Sequence, residues 1–246
     1  MLKNYIKVAL RNILKHKTFS FINIFGLALA MSVCLLVILM LSDQLRYDRF
    51  NTKIDRIYRV VTYNPGGNQP YATSPFPTGP YLKSNYPVVE ETVTLLPNVT
   101  GDAKSGNQLA VIKGYFTEPS FFRIFDFELV NGNKENALLE PRSIIITTDI
   151  AKKLFGNEDA IGKTVEFFNR SLAFPIEDEE GGSTAVPWGS FTVTGTIDAS
   201  AYKSHLRFDV LMSSSTMPSL WAEKKLDDLT NSWNWFFPSL HVCSSP

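Results

Sequence analysis

Phe19–Leu41 reads FSFINIFGLALAMSVCLLVILML, 23 residues without a charge. As a helix rising ~1.5 Å per residue it would reach roughly 34 Å, more than the about 30 Å of hydrocarbon in a bilayer. Its polar members are Ser20, Asn23 and Ser32, too few for the polar stripe of a helix lying on a soluble core. Residues 19–42 are therefore read as a membrane-crossing helix. A cleaved secretory signal is the competing reading, but its apolar region would span only about 7–15 residues. Small residues would also close such a run, whereas Ala28, Ala30 and Ser32 stand in mid-span. Gly26 and Ala30, like Ala28 and Ser32, are four apart, a spacing that lets a second helix approach closely.

Residues 1–18 precede the span. Lys3, Lys7, Arg11, Lys15 and Lys17 give residues 1–19 a charge of +5, and the remainder of the chain carries −5. On the far side Asp43, Arg46, Asp48 and Arg49 offset one another. Lys and Arg at the ends of a span mark its cytoplasmic side, so residues 1–18 are expected in the cytoplasm and residues 43–246 outside it. Leu2, Tyr5, Ile6, Ala9, Leu10, Ile13 and Leu14 follow helical spacing, and the basic residues recur every four positions on another face. Such a helix suits the headgroup layer of a membrane, its lysines snorkelling. The charges would fix topology, or the helix would also dock a cytoplasmic partner.

Residues 43–246 read as one α+β domain built on short strands, without an internal repeat. Residues 43–53 form a polar stalk. Ile57–Tyr63 is a strand, Pro65-Gly-Gly67 breaks it, Thr78–Asn85 is a short helix stopped before Pro87, and Val88–Leu96 is a strand. Strand, helix and strand in that order predict a βαβ unit. Asn98–Gln108 reads as a turn region, Leu109–Tyr115 as a strand, and Glu118–Phe125 as a short helix. Phe116, Phe121, Phe122, Phe125 and Phe127 are expected in a core wedge. Arg142–Thr147 is a strand, and Thr148 or Asp149 caps a helix running to Phe155 with Gly156 as its stop. Strands follow at Lys163–Phe168, Phe191–Ile197 and Leu206–Met212, with Ser171–Ser190 as an acidic loop.

Several patterns bear on chemistry. Gly156-Asn-Glu-Asp-Ala-Ile-Gly162-Lys163-Thr164 looks like a phosphate-binding loop, but five residues separate the glycines where four are needed. A helix precedes it and a strand follows, the reverse of the order that turns helix amides toward phosphate. Glu177-Asp-Glu-Glu180 lacks the spacing of a calcium loop. His205 has no second ligand at metal spacing, and no nucleophile or zinc-protease motif occurs. Catalytic, cofactor-binding and metal-ligating residues are all expected to be none. The acidic balance outside the span argues against nucleic acid as a partner. Cys34 in the span and Cys243 near the end are not expected to form a disulfide.

MLKNYIKVALRNILKHKTFSFINIFGLALAMSVCLLV at residues 1–37 resembles the start of MacB/FtsX-like permeases of ABC transporters. SFFRIFDFELVNGN, SIIITTDIAKKLFGNEDAIGKTVEF, FTVTGTI and SHLRFDVLMS resemble successive segments of that family's MacB-like periplasmic core domain. The resemblance covers residues 1–237. It implies a periplasmic domain with a βαβ porter-like part and a more strand-rich part. It also implies a non-enzymatic subunit of the inner membrane in a dimeric permease assembly, contacting lipid and driven by a separate cytoplasmic ABC ATPase for efflux or export. A full permease has further membrane helices after this domain, yet nothing after Leu41 approaches 18 apolar residues. FPSLHVCSSP at 237–246 does not match the family's continuation. The chain is therefore expected to be an N-terminal portion of a permease, cut or frame-shifted near residue 237. The alternatives are a stand-alone membrane-anchored binding or sensor domain and, third, a tethered enzyme.

Overall fold

The computed structural model describes residues 2–63, 69–171, 176–177, 183–233 and 240–244. They divide into two compact units, Met1–Tyr47 and Asp48–Pro246.

The first unit holds α1 (Leu2–Lys15) and α2 (Lys17–Gln44). Only His16 separates them, at φ −113° and ψ 58°. The hydrogen-bond ladder continues through it: the His16 amide donates to the Asn12 carbonyl at 3.1 Å, and the Ser20 amide donates to the His16 carbonyl at 2.9 Å. Helix α2 contains the whole apolar run and buries none of its residues. Among the described residues it is the one helix long and apolar enough to cross a membrane. The Ser32 hydroxyl donates to the Ala28 carbonyl at 2.8 Å, satisfying within the helix a donor that lipid could not.

The second unit carries β1 (Ile57–Arg59), β2 (Thr62–Tyr63), β3 (Pro70–Tyr71), α3 (Thr78–Asn85), β4 (Glu91–Ser105), β5 (Gln108–Thr117), α4 (Phe121–Ile124), β6 (Leu129–Gly132) and β7 (Ser143–Thr147). Then follow α5 (Thr148–Phe155), β8 (Thr164–Asn169), β9 (Ile176–Glu177), β10 (Ser183–Thr184), β11 (Val186–Ile197), β12 (Val210–Ser213), α6 (Met217–Ala222) and β13 (Leu240–Ser244). Six strands close on themselves. β4 pairs β5, β5 pairs β12, β12 pairs β7, β7 pairs β11, β11 pairs β8, and β8 returns to β4. All six strands send alternate side chains into one apolar cluster, among them Ala103, Ile112, Val210, Ile146, Val193 and Phe167. Trp188 fills it, stacked on Phe116 with centroids 5.3 Å apart and edge-on to Phe167 at 5.3 Å. Ile150 and Leu154 of α5 join the same cluster.

A second cluster lies on the other side of these strands. Val93, Leu95, Ile145, Ile197 and Leu211 meet Phe121, Phe125, Phe127 and Phe208 there. The expected phenylalanine wedge is thus divided, with Phe116 in one cluster and Phe121, Phe125 and Phe127 in the other.

The expected βαβ unit is split. β13 pairs antiparallel with both β1 and β4, so β1, before α3, and β4, after it, run parallel with one strand between them. The strand predicted over Ile57–Tyr63 is divided into β1 and β2, and the Pro65-Gly-Gly67 break lies outside the described residues. The turn expected at Asn98–Gln108 shrinks to Ser105–Gln108, because β4 continues through Pro97 and Gly101. A bulge between Leu96 and Val99 absorbs the proline, and a Cβ at Gly101 would fall on the Phe168 carbonyl of β8. The acidic loop ends earlier than Ser190. β11 begins at Val186, and its bulge at Pro187–Gly189 uses Gly189 at φ 90° to turn Trp188 into the core. Thr147, one residue before the expected cap, accepts the Ile150 amide of α5, and Gly156 ends that helix at φ 65°.

Candidate functional site at the root of the second unit

The second unit begins at Asp48, four residues after α2 ends at Gln44. Asp48 has φ 57°, a left-handed conformation that Asp tolerates better than most residues. Each of its polar groups is engaged. The amide donates to the Lys203 carbonyl at 2.8 Å, and the carbonyl accepts Asn51 Nδ2 at 2.9 Å. Its carboxylate accepts the Ser204 hydroxyl and the His205 amide, and Oδ2 lies 2.6 Å from His205 Nδ1.

The next residues continue the attachment. Phe50 packs its ring 4.8 Å from Phe127 and 4.7 Å from Tyr202. Asn51 is 4 % exposed, and its Oδ1 accepts the Asp126 amide at 3.0 Å. The Asp126 carboxylate in turn accepts the Thr52 amide at 2.5 Å and the Thr52 hydroxyl at 2.7 Å. The residues read as a polar stalk from sequence are therefore, from Asp48 to Thr52, bonded to two distant loops and the aromatic cluster. His205, given no role from sequence, is part of this root. No local signal could have revealed it, since its partner is 157 positions away.

Charges extend the root over α3, β4 and α4. Arg56 pairs with Glu90 at 2.7 Å, and Glu91 holds both Lys83 and, at 2.7 Å, Arg123. Burial raises the Glu91 pKa, but hydrogen bonds from Lys83 and Arg123 outweigh it and leave the carboxyl below its ordinary value. Glu118 behaves oppositely. Burial pushes it up despite hydrogen bonds from Thr94 and Ser120.

The Gly156–Thr164 stretch has the context expected of it, with α5 before and β8 after. Lys163 pairs with Glu158 and lies 5.0 Å from the Phe155 ring centroid. Glu158 is held below its ordinary value by the Lys163 hydrogen bond. Of the acidic run, Glu177 falls in β9 and residues 178–180 lie outside the described residues. Among the described residues no group of three or more His, Cys, Asp or Glu side chains could hold a metal ion. Cys34 is free.

An N-terminal helix long and apolar enough to cross a membrane, followed by a domain that couples a split βαβ unit to a closed ring of strands, defines the architecture of the described residues as α+β. The family model of the MacB-like periplasmic core domain matches residues 20–236, and the chain belongs to that family. It is a family of ABC-type transporter permeases of the inner membrane that work with a cytoplasmic ABC ATPase. The fold is similar to that of a domain, from Porphyromonas gingivalis, ascribed to a permease protein. That likeness has TM-score 0.58 and 20% identity and covers 80% of this chain and 77% of that one. The periplasmic region of MacB from Actinobacillus actinomycetemcomitans matches at TM-score 0.49 and 14% identity, over 78% of this chain and 76% of that one. The extracellular domain of the noncanonic ABC-type transporter YknZ from Gram-positive bacteria matches at TM-score 0.45 and 14% identity, over 77% and 82%. No curated protein matches the chain.

Proposed function

We propose that this chain acts as a permease component of an ABC transporter, linking ATP hydrolysis on a separate cytoplasmic chain to movement of its periplasmic domain for efflux or export. The family match carries the reading, since it starts inside the apolar helix at residue 20 and continues to residue 236. In this reading residues 1–18 are the cytoplasmic helix, 19–42 the span and 43–246 the periplasmic core domain. The basic flank supports the cytoplasmic side, since Lys and Arg near a span resist translocation. The root gives the reading a physical basis: a force arriving at Asp48 meets hydrogen bonds, a buried amide and an aromatic contact rather than a slack linker. Burial of such contacts makes the chain there part of the domain's packing rather than a flexible tether.

The test is affinity purification of the tagged chain from native membranes in mild detergent. An ABC-type ATPase recovered in stoichiometric amount, with activity that changes when the tagged chain is removed, is the expected result. Recovery without any ATPase, together with unchanged export in a deletion strain, would sink the reading in favour of a stand-alone binding or sensor domain. Single cysteines at positions 8 and 111, with Cys34 and Cys243 replaced, test topology. An impermeant label should reach position 111 and not position 8 in spheroplasts.

A further inference from the structure

Residues 1–42 contain no Asp or Glu, yet Lys7, Arg11, Lys15 and Lys17 all stand exposed among them. The first acid is Asp43, which shares α2 with Lys17. On that helix the two are about 39 Å apart, against a Debye length of about 8–10 Å. On the reading that α2 crosses the membrane, on which this inference rests, the acids of the second unit lie on the far side. The counter-charge for the four cations therefore comes from outside the chain.

Their arrangement selects its source. Lys7, Arg11 and Lys15 recur every four residues of α1, each about 40° around the helix from the last, so they form one stripe about 12 Å long. The same helix exposes Tyr5, Ile6, Ile13 and Leu14 on an adjoining face. An acidic surface alone would satisfy the cations and leave those side chains in water, whereas a bilayer takes the apolar face at its acyl boundary and the charges at its headgroups. The place is also fixed covalently. Only His16 separates α1 from α2, and the apolar run begins at Phe19, so Lys15 and Lys17 are held within four residues of the span. Cations clustered there favour an anionic over a neutral surface by roughly fivefold each. We propose that α1 binds anionic phospholipid selectively, its cation stripe pairing with the net-negative headgroups of the leaflet at which α2 enters the membrane.

The experiment uses the full chain in nanodiscs of phosphatidylcholine with about 30 % phosphatidylglycerol, within which anionic clusters can form. A fluorescent dye is placed on Ile6→Cys, with Cys34 and Cys243 replaced, and a spin-label quencher is carried by one lipid or the other at equal mole fraction. The expected result is stronger quenching when the anionic lipid carries the quencher. Lys7→Gln with Arg11→Gln should weaken the exchange of neutral for anionic lipid at the helix about 25-fold, fivefold for each charge removed. Lys7→Arg should keep the preference, and 1 M NaCl should abolish it. The proposal is overturned by equal quenching from the two lipids, or by a preference that survives the double variant or the salt. It is also overturned by a dye that neither lipid quenches until a cytoplasmic ATPase is added, which would assign the helix to a protein partner. A disc exposes both faces of the bilayer, so a failed topology assay at positions 8 and 111 would sink the membrane reading separately from this one.

Discussion

Asp48 Oδ2 and His205 Nδ1 lie 2.6 Å apart across 157 positions of sequence. The contact holds a residue with positive φ at the first position of the second unit. Asp48→Ala removes the carboxylate and leaves a Cβ at φ 57°, so a loss of about 2–3 kcal/mol is expected. Asp48→Gly loses the same bonds without the conformational penalty and should be milder by about 1 kcal/mol. Urea unfolding followed by tryptophan fluorescence measures both. Equal losses would mean that the left-handed backbone stores no strain, and no loss in either would mean that the root is not closed in solution.

Gly114 faces a stricter requirement. A Cβ there would fall on the Val210 carbonyl, backbone against backbone, where β5 and β12 run parallel. Gly114→Ala should therefore destabilise by about 3 kcal/mol, the upper end for overpacking. Gly106→Ala, at the β4–β5 turn with φ 56° and open space around it, should cost only about 1 kcal/mol. Comparable midpoints for the two variants would contradict the close approach of the strands.

Sequence periodicity revealed the elements whose signal is local. The apolar helix, α3, β5, α5 and β7 lie where their hydrophobic pattern puts them, the α5 cap alone moving back by one residue to Thr147. It failed where a distant partner decides. Pro97, Asn98 and Gly101 read as turn residues, yet β4 runs on through them, with Pro97 and Asn98 in a bulge and Gly101 held between β5 and β8. Pro187 and Gly189 read as loop residues, yet they aim Trp188 into the ring. The root was the least legible part. Asp48, Asn51, Asp126 and His205 are ordinary polar residues until the fold brings them together. The family resemblance supplied what periodicity could not, because it spans the order of segments rather than any one of them.

Acid should affect the second unit in two opposite phases. Glu118 has a raised folded-state pKa, so its contribution is full below the unfolded value near 4.5 and is lost as pH rises through the folded value. Glu91 has a lowered one, so its contribution holds above 4.5 and is lost as pH falls through the folded value. Stability should thus rise on mild acidification and fall below about pH 4.5. Glu118→Gln should abolish the rise and keep the fall, while Glu91→Gln should blunt the fall. Denaturation midpoints from about pH 3 to 8 check this. A rise that survives in Glu118→Gln would assign it to another group.

The Gly162-Lys163-Thr164 stretch should show no saturable binding of ATP by the purified chain. Lys163 is already engaged by Glu158 and the Phe155 ring. Lys163→Ala should cost no more than about 1 kcal/mol, the scale of an exposed pair and cation–π contact. Saturable ATP binding that Lys163→Ala abolishes would refute this.

The ring of strands also has a seam whose two ends lie side by side. Asn169 and Val186 are cross-strand partners at the end of the β8–β11 pairing. The chain leaves the ring at one and returns at the other, a few ångströms away. Loop entropy grows slowly, by only about 0.6 kcal/mol for each doubling of length. A reporter domain or epitope inserted between these two positions would therefore leave the closure intact, which makes this the natural graft point for following the domain inside a cell.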